Sequence, residues 1–271
     1  VTTENVYQEA NTDNRRLMNQ IVDELVLPGS AIIGVENLAQ LHKRSCSGET
    51  CLILMEHYSN FDIPSLFHLL VRQHRIEAAE AIIAIAGMKL SEDSGFVKAF
   101  SESYTRIVIY PSRSLDSITD PELLEEERKR SKRLNMAATR QMIRLKHRGR
   151  MILLFPSGTR YRPGKPDTKR GVKEVDSYIK SFDTMIFVAI AGNVLRIHPS
   201  GDMSRDLATK DVMILKVSEP VSCEGFRAAA RNSAPEGVDP KQHVADTVMA
   251  KLEEMHASAE KLQQDRLNGR E

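Results

Sequence analysis

Two residues five apart carry the first chemical signal in the chain. His57 and Asp62 lie within Met55-Glu56-His57-Tyr58-Ser59-Asn60-Phe61-Asp62, directly after the apolar run Cys51-Leu52-Ile53-Leu54. An imidazole acting as general base needs a neighbour that fixes its tautomer and stabilises the imidazolium formed in the transition state; a carboxylate one strand-to-helix turn away can do this. A lone histidine at a strand end is more often structural, and Asp62 before Ile63-Pro64 also reads as a helix N-cap. Position favours chemistry, because ligands of open α/β sheets gather at the carboxyl ends of strands. The two roles of Asp62 are compatible if one oxygen faces helix amides while the other holds an imidazole N–H.

A second candidate follows another apolar run, in Phe155-Pro156-Ser157-Gly158-Thr159-Arg160-Tyr161-Arg162-Pro163. Two arginines one residue apart after a small-residue turn can converge on a phosphate, since glycine lets backbone amides approach and each guanidinium offers a fork of donors. The same stretch also fits a surface turn with solvated arginines. A third, weaker candidate is Ile107-Val108-Ile109-Tyr110-Pro111-Ser112-Arg113, which ends a further apolar run on a cation. Together the three offer a base, one arginine and an arginine pair, the equipment for deprotonating a hydroxyl on a phosphorylated molecule.

The elements that must position these residues are legible as alternation. Apolar runs at Cys51–Leu54, Ile82–Ala86, Ile107–Tyr110, Met151–Phe155, Met185–Ile190 and Val212–Val217 are separated by helical spacing. This predicts an α/β fold with a central mixed, largely parallel β-sheet flanked by helices on both faces. The clearest helix has Asp120 as N-cap and Pro121 at its first position, stops before Gly149, and buries Leu134, Ala138, Met142 and Leu145. Further helices are predicted over Asn14–Val26, Ile63–Gln73, Val172–Phe182 and Lys241–Gln264. Pro28-Gly29 sets a short N-terminal helical segment, residues 1–28, apart from an α/β domain over 29–271.

Composition bounds the function. The 271 residues are 41% hydrophobic and 28% charged, ordinary for a globular chain able to bury one core. Three cysteines, an odd number without metal-ligand spacing, point to a reducing compartment rather than a disulfide framework, and a cytosolic face fits best. No apolar stretch reaches the roughly 18–20 residues of a spanning helix. The N-terminus lacks the pattern of a signal peptide, and valine in first place is expected where a start methionine or a leader has been removed. Net charge is only +1, yet residues 113–173 hold 17 Lys/Arg against 7 Asp/Glu, an excess of ten that suits an anionic partner. Nucleic acid is disfavoured by 5% aromatic content, the absence of tryptophan and the lack of a recognisable motif. A serine hydrolase would need a Gly-x-Ser-x-Gly elbow, and Ser157 lies instead in Pro-Ser-Gly. The remaining histidines, 42, 68, 74, 147, 198, 243 and 256, show no paired ligand spacing, so no metal is expected.

The His-x4-Asp pattern of His57 and Asp62, followed by Phe155-Pro156-Ser157-Gly158-Thr159-Arg160, resembles the glycerolipid acyltransferase family over roughly Val35 to Val221. Ser157 stands where lysophosphatidic acid acyltransferases usually carry glutamate. Pro156-Ser157-Gly158-x-Arg160-x-Arg162-Pro163, Tyr110-Pro111-Ser112-Arg113 and the helix beginning Asp120-Pro121-Glu122-Leu123 are similar to soluble, plastid-type glycerol-3-phosphate acyltransferases. The large N-terminal helical domain of that subfamily has little counterpart in residues 1–28.

This resemblance implies that His57 deprotonates a glycerol hydroxyl attacking an acyl thioester, with Asp62 as its orienter. Arg160, Arg162 and Arg113 would hold the phosphate of glycerol 3-phosphate, with Ser157, Gly158 and Thr159 in the same binding turn. The amides of Gly158 and Thr159 are candidates for oxyanion donors. The donor would be acyl-CoA or acyl carrier protein, either suited to the basic helix Arg128–Arg150, with no other cofactor. An amphiphilic product implies peripheral membrane contact, for which Leu17, Ile21, Leu25 and Leu27 offer a stripe that also fits simple packing. Lysophosphatidic acid as acceptor, giving phosphatidic acid, is the alternative within the class, and a non-catalytic anion- or nucleic-acid-binding domain is the alternative outside it.

Overall fold

The computed structural model describes residues 1–88, 90, 95–116 and 118–269. The chain begins with β1 (Tyr7–Gln8), α1 (Thr12–Leu25), β2 (Ala31–Ile33), α2 (Val35–Cys46) and β3 (Cys51–Met55). Next come α3 (Asp62–Arg72), α4 (Ile76–Ala81), β4 (Ile82–Gly87), α5 (Gly95–Glu102), β5 (Arg106–Ile109), α6 (Pro121–Lys146) and β6 (Met151–Leu154). Then α7 (Val175–Lys180), β7 (Thr184–Ala191), β8 (Leu195–Arg196), β9 (Leu207–Ala208), β10 (Ile214–Val217), β11 (Val221–Ser222), α8 (Cys223–Asn232) and α9 (Pro240–Leu267) complete it.

Among the described residues the main sheet has nine strands in the order β1-β5-β4-β6-β3-β7-β10-β2, with β11 beside β7. The block β5-β4-β6-β3-β7 is parallel, whereas β1, β10 and β11 pair antiparallel to it. A mixed, largely parallel sheet between two helical layers is therefore the observed architecture. Every residue of β3, β6 and β7 is buried, as strands covered on both faces must be. Alternation divides them: Cys51, Ile53 and Met55 face a core shared with α1 to α5, and Leu52 and Leu54 face one shared with α6 to α9.

Local chemistry explains the long helices. The Asp120 carboxylate accepts from the amides of Glu122 and Leu123 at 2.9 and 3.3 Å, and Pro121 opens α6. Leu134, Ala138 and Met142 form its buried stripe, with Leu145 half-buried beside it, and Arg128, Lys129, Lys132, Arg133, Arg140 and Arg144 stay exposed. Asp239 and Pro240 start α9 in the same way.

The first 28 residues supply a strand as well as a helix. Tyr7 and Gln8 pair with Ile107 and Arg106, and α1, capped by Asn11, packs on α3 and α5. Its apolar stripe is mostly packing: Ile21, Leu25 and Leu27 lie against core residues and only Leu17 stands out, 55% exposed. No helix of the described residues is long and apolar enough to cross a membrane.

Candidate active site

His57 leaves the carboxyl end of β3, and the chain turns through residues 58–61 into α3. Phe61 occupies the N-cap position without a side-chain bond, so Asp62 is the first helical residue rather than the cap. Its carboxylate bends back instead. One oxygen, Oδ2, accepts from His57 Nδ1 at 2.9 Å, from the Tyr58 amide at 2.7 Å and from the Ser59 amide at 2.9 Å. The expected division between two oxygens is thus replaced by one oxygen bonded only to the preceding loop. The Ser59 hydroxyl accepts from the Phe61 amide at 2.9 Å, a bond within the loop before α3.

Asp62 is 1% exposed. A buried carboxylate is tolerated where donors surround it, and the α3 N-terminus adds a favourable field. Because an ionised carboxylate can only accept, the His57 proton sits on Nδ1 and the lone pair is left on Nε2. The imidazole is 16% exposed, lines a cavity and stacks on Phe155, ring centres 3.9 Å apart and planes 12° apart. A further bond from the Tyr161 amide to the His57 carbonyl, 2.8 Å, ties the two motif loops together.

That second loop follows β6, the parallel neighbour of β3. Since α3 and α7 pack on opposite faces of the sheet, the chain leaves these two strands in opposite directions and opens a crevice at their carboxyl ends. Gly158, at φ +64°, supplies the left-handed turn there, and its amide donates to the Phe155 carbonyl at 2.9 Å. That amide is spent on the turn, which leaves the Thr159 amide as the oxyanion candidate of the pair. Ser157 is buried, closes the turn through its hydroxyl to the Thr159 carbonyl at 2.7 Å, and is not part of the cavity wall. Its expected contact with substrate is replaced by a structural one.

The cavity has a volume of about 770 Å³, and His57, Gly158, Thr159, Arg160, Arg162 and Arg113 all line it. The arginines differ in how far they are committed. Arg160 is buried in an ion pair with Asp206, whose other oxygen accepts from the His198 amide at 3.1 Å. Arg113 is half-buried and donates to the Arg170 carbonyl at 3.2 Å. The Nε of Arg162 is buried with no partner, so this guanidinium keeps a donor for a ligand. Apolar side chains of Ile85, Ile107, Met142, Leu154 and Val175 form another part of the wall.

A second histidine–carboxylate pair lies one residue before the first. Glu56 is buried; its Oε2 accepts from the Ile190 amide at 2.8 Å and from His256 Nδ1 at 3.0 Å, and its Oε1 accepts from the Tyr58 hydroxyl at 2.9 Å. Burial works to lower the His256 pKa, but its bond to Glu56 and that residue's charge outweigh burial, and the net shift is upward. Burial and Glu56 together push the Tyr58 phenol up. Sequence inspection does not pair residues 200 positions apart, and neither this network nor Asp206 carries a local signal.

An α/β domain with a histidine–aspartate pair and several arginines around one cavity at its strand ends has the equipment of a general-base group-transfer enzyme. A family model described as Acyltransferase matches residues 31–216, and the chain belongs to that family. Among solved structures, the chain is similar to the crystal structure of the 1-acyl-sn-glycerophosphate (LPA) acyltransferase PlsC from Thermotoga maritima. Identity is 20%, 90% of this chain and 77% of that chain are covered, and the TM-score is 0.46. No curated protein sequence matches the chain.

Proposed function

We propose that the protein moves a fatty acyl group from an acyl thioester to a hydroxyl of glycerol 3-phosphate, giving lysophosphatidic acid. The observation that carries this is His57, oriented through Nδ1 by Asp62, facing the same cavity as the unspent donor of Arg162. Nε2 takes the hydroxyl proton as the oxygen attacks the thioester carbonyl carbon. The tetrahedral intermediate then expels the thiolate, which recovers the proton from the imidazolium, so no acyl-enzyme is formed. Arg162, with Arg113 and Arg160 beside it, anchors the phosphate and thereby selects the hydroxyl that reaches His57.

The exposed cations of α6 suit an acidic donor carrier, either coenzyme A or acyl carrier protein, and docking of the latter weakens with salt. The amphiphilic product favours peripheral contact with a bilayer on the cytoplasmic or stromal side, where exposed Leu17 is available. Lysophosphatidic acid is the competing acceptor: it presents a like phosphate and one remaining hydroxyl, and the apolar wall suits a lipid tail as well as an acyl donor. Incubating the protein with labelled acyl-CoA or acyl carrier protein and each acceptor in turn separates the two. Labelled lysophosphatidic acid from glycerol 3-phosphate is expected; phosphatidic acid alone reassigns the acceptor, and no labelled product with either removes the acyl-transfer proposal.

A further inference from the structure

The cavity carries a second polar group that the reaction above does not use. Arg106, the first residue of β5, is 3% exposed, and Tyr104, two residues earlier, is 4% exposed; both line the cavity. Both lie on the side of the sheet that carries α1, α3 and α5. The Tyr104 ring packs on Phe67 of α3, centres 4.7 Å apart, with the Arg15 guanidinium 5.2 Å from its own centre, and Arg106 donates through Nη1 to the Ser101 carbonyl of α5. The Tyr104 hydroxyl and Arg106 Nε are buried without any hydrogen-bond partner.

A buried guanidinium without a counter-ion is costly, and so is a buried hydroxyl without an acceptor. Glu102 acts on Arg106 only at a distance, for no carboxylate of the described residues forms an ion pair with it. The carboxyl-terminal end of α5, where Arg106 bonds, supplies a partial negative charge that offsets part of the guanidinium's. What is left is one charged and one neutral donor in a wall that also contains the apolar Ala84, Ile63, Leu90 and Phe100 and the hydroxyl residue Ser101. Such a pair matches the lone pairs of an oxyanion, and the apolar neighbours match a hydrocarbon chain attached to it.

We propose that Arg106 and Tyr104 form a second oxyanion pocket of this cavity, which takes the carboxylate or phosphate head of a single-chain lipid. Its residues are not those assigned to the acceptor phosphate, and its test needs no turnover, so it stands or falls independently of the acyl-transfer proposal.

Isothermal titration of the protein with palmitate and with dodecyl phosphate, against inorganic phosphate as the chain-free control, tests it. Loss of the charged donor in Arg106→Met is expected to weaken the cognate lipid about 10- to 150-fold, and Tyr104→Phe about 2- to 10-fold. If the loss falls on palmitate the head is a fatty carboxylate, and if it falls on dodecyl phosphate the head is a lipid phosphate. Tyr104→Phe keeps the ring against Phe67 and decides the matter should Arg106→Met not fold. The proposal is overturned if neither lipid binds more tightly than inorganic phosphate, or if folded Arg106→Met and Tyr104→Phe bind both lipids as the parent does.

Discussion

Residues 56 and 57 each carry a side chain that pairs histidine with a carboxylate, and the two pairs are built differently. His57 and Asp62 are joined across one short turn, the Asp62 Oδ2 also accepts from two amides of that turn, and the imidazole faces the cavity. Glu56 and His256 join β3 to α9 across 200 residues, Glu56 also holds β7 through the Ile190 amide, and neither lines the cavity. The same two functional groups thus present a ring to the cavity in one pair and make a fastening between distant elements in the other.

The largest effect is expected at the pair that faces the cavity. His57→Ala should lose on the order of 10² to 10⁴ in turnover while the far-ultraviolet circular dichroism stays that of the parent; full turnover in that variant would end the assignment. Next comes Arg162, the arginine with an unspent donor: its change to alanine should raise the acceptor KM by about 10- to 150-fold, equivalent to about 1.5–3 kcal/mol, with less effect on turnover. A rise confined to the acyl-donor KM would take the phosphate away from Arg162.

At the fastening, the order of effects reverses. His256→Ala leaves the Glu56 carboxylate short of a donor and should cost about 1–3 kcal/mol in urea unfolding, while turnover changes by less than about 10-fold. A turnover loss as deep as that of His57→Ala would erase the distinction between the pairs. The smallest effect is one of pH. Because His256 titrates above its ordinary 6.5 in the folded protein, its contribution is fully present below that value and fades as pH rises through the raised one. The stability gap between the parent and His256→Gln should therefore narrow on going from mildly acidic to alkaline buffer, and a gap that widened would mean that the pair is not held by charge.

Much of this was legible because it is local. Five apolar runs became β3 to β7, since a strand buried on both faces must be apolar throughout, and the Asp120-Pro121 start writes its helix end into neighbouring residues. The helices expected from the sequence do not include α2, α4, α5 and α8. The case of α2 gives one reason: it starts at Gly34, φ +79°, with no side-chain cap, where an added Cβ would come within 2.6 Å of the Val217 carbonyl, so its start is set by the adjoining β10. Val212 and Met213, read as strand, precede β10 instead.

The site divides along the same line. Residue types and spacing alone brought out His57 with Asp62 and the three arginines, because a five-residue turn and the ends of parallel strands constrain where such side chains can go. Folding determined what each had left to offer: Asp206 claims Arg160, the turn claims Ser157 and the Gly158 amide, and Arg162 keeps a donor. Those outcomes depend on partners brought together from distant parts of the chain. A hydrogen bond across 46 or 200 residues has no periodicity to betray it, whereas a strand or a capped helix repeats its cause every few residues.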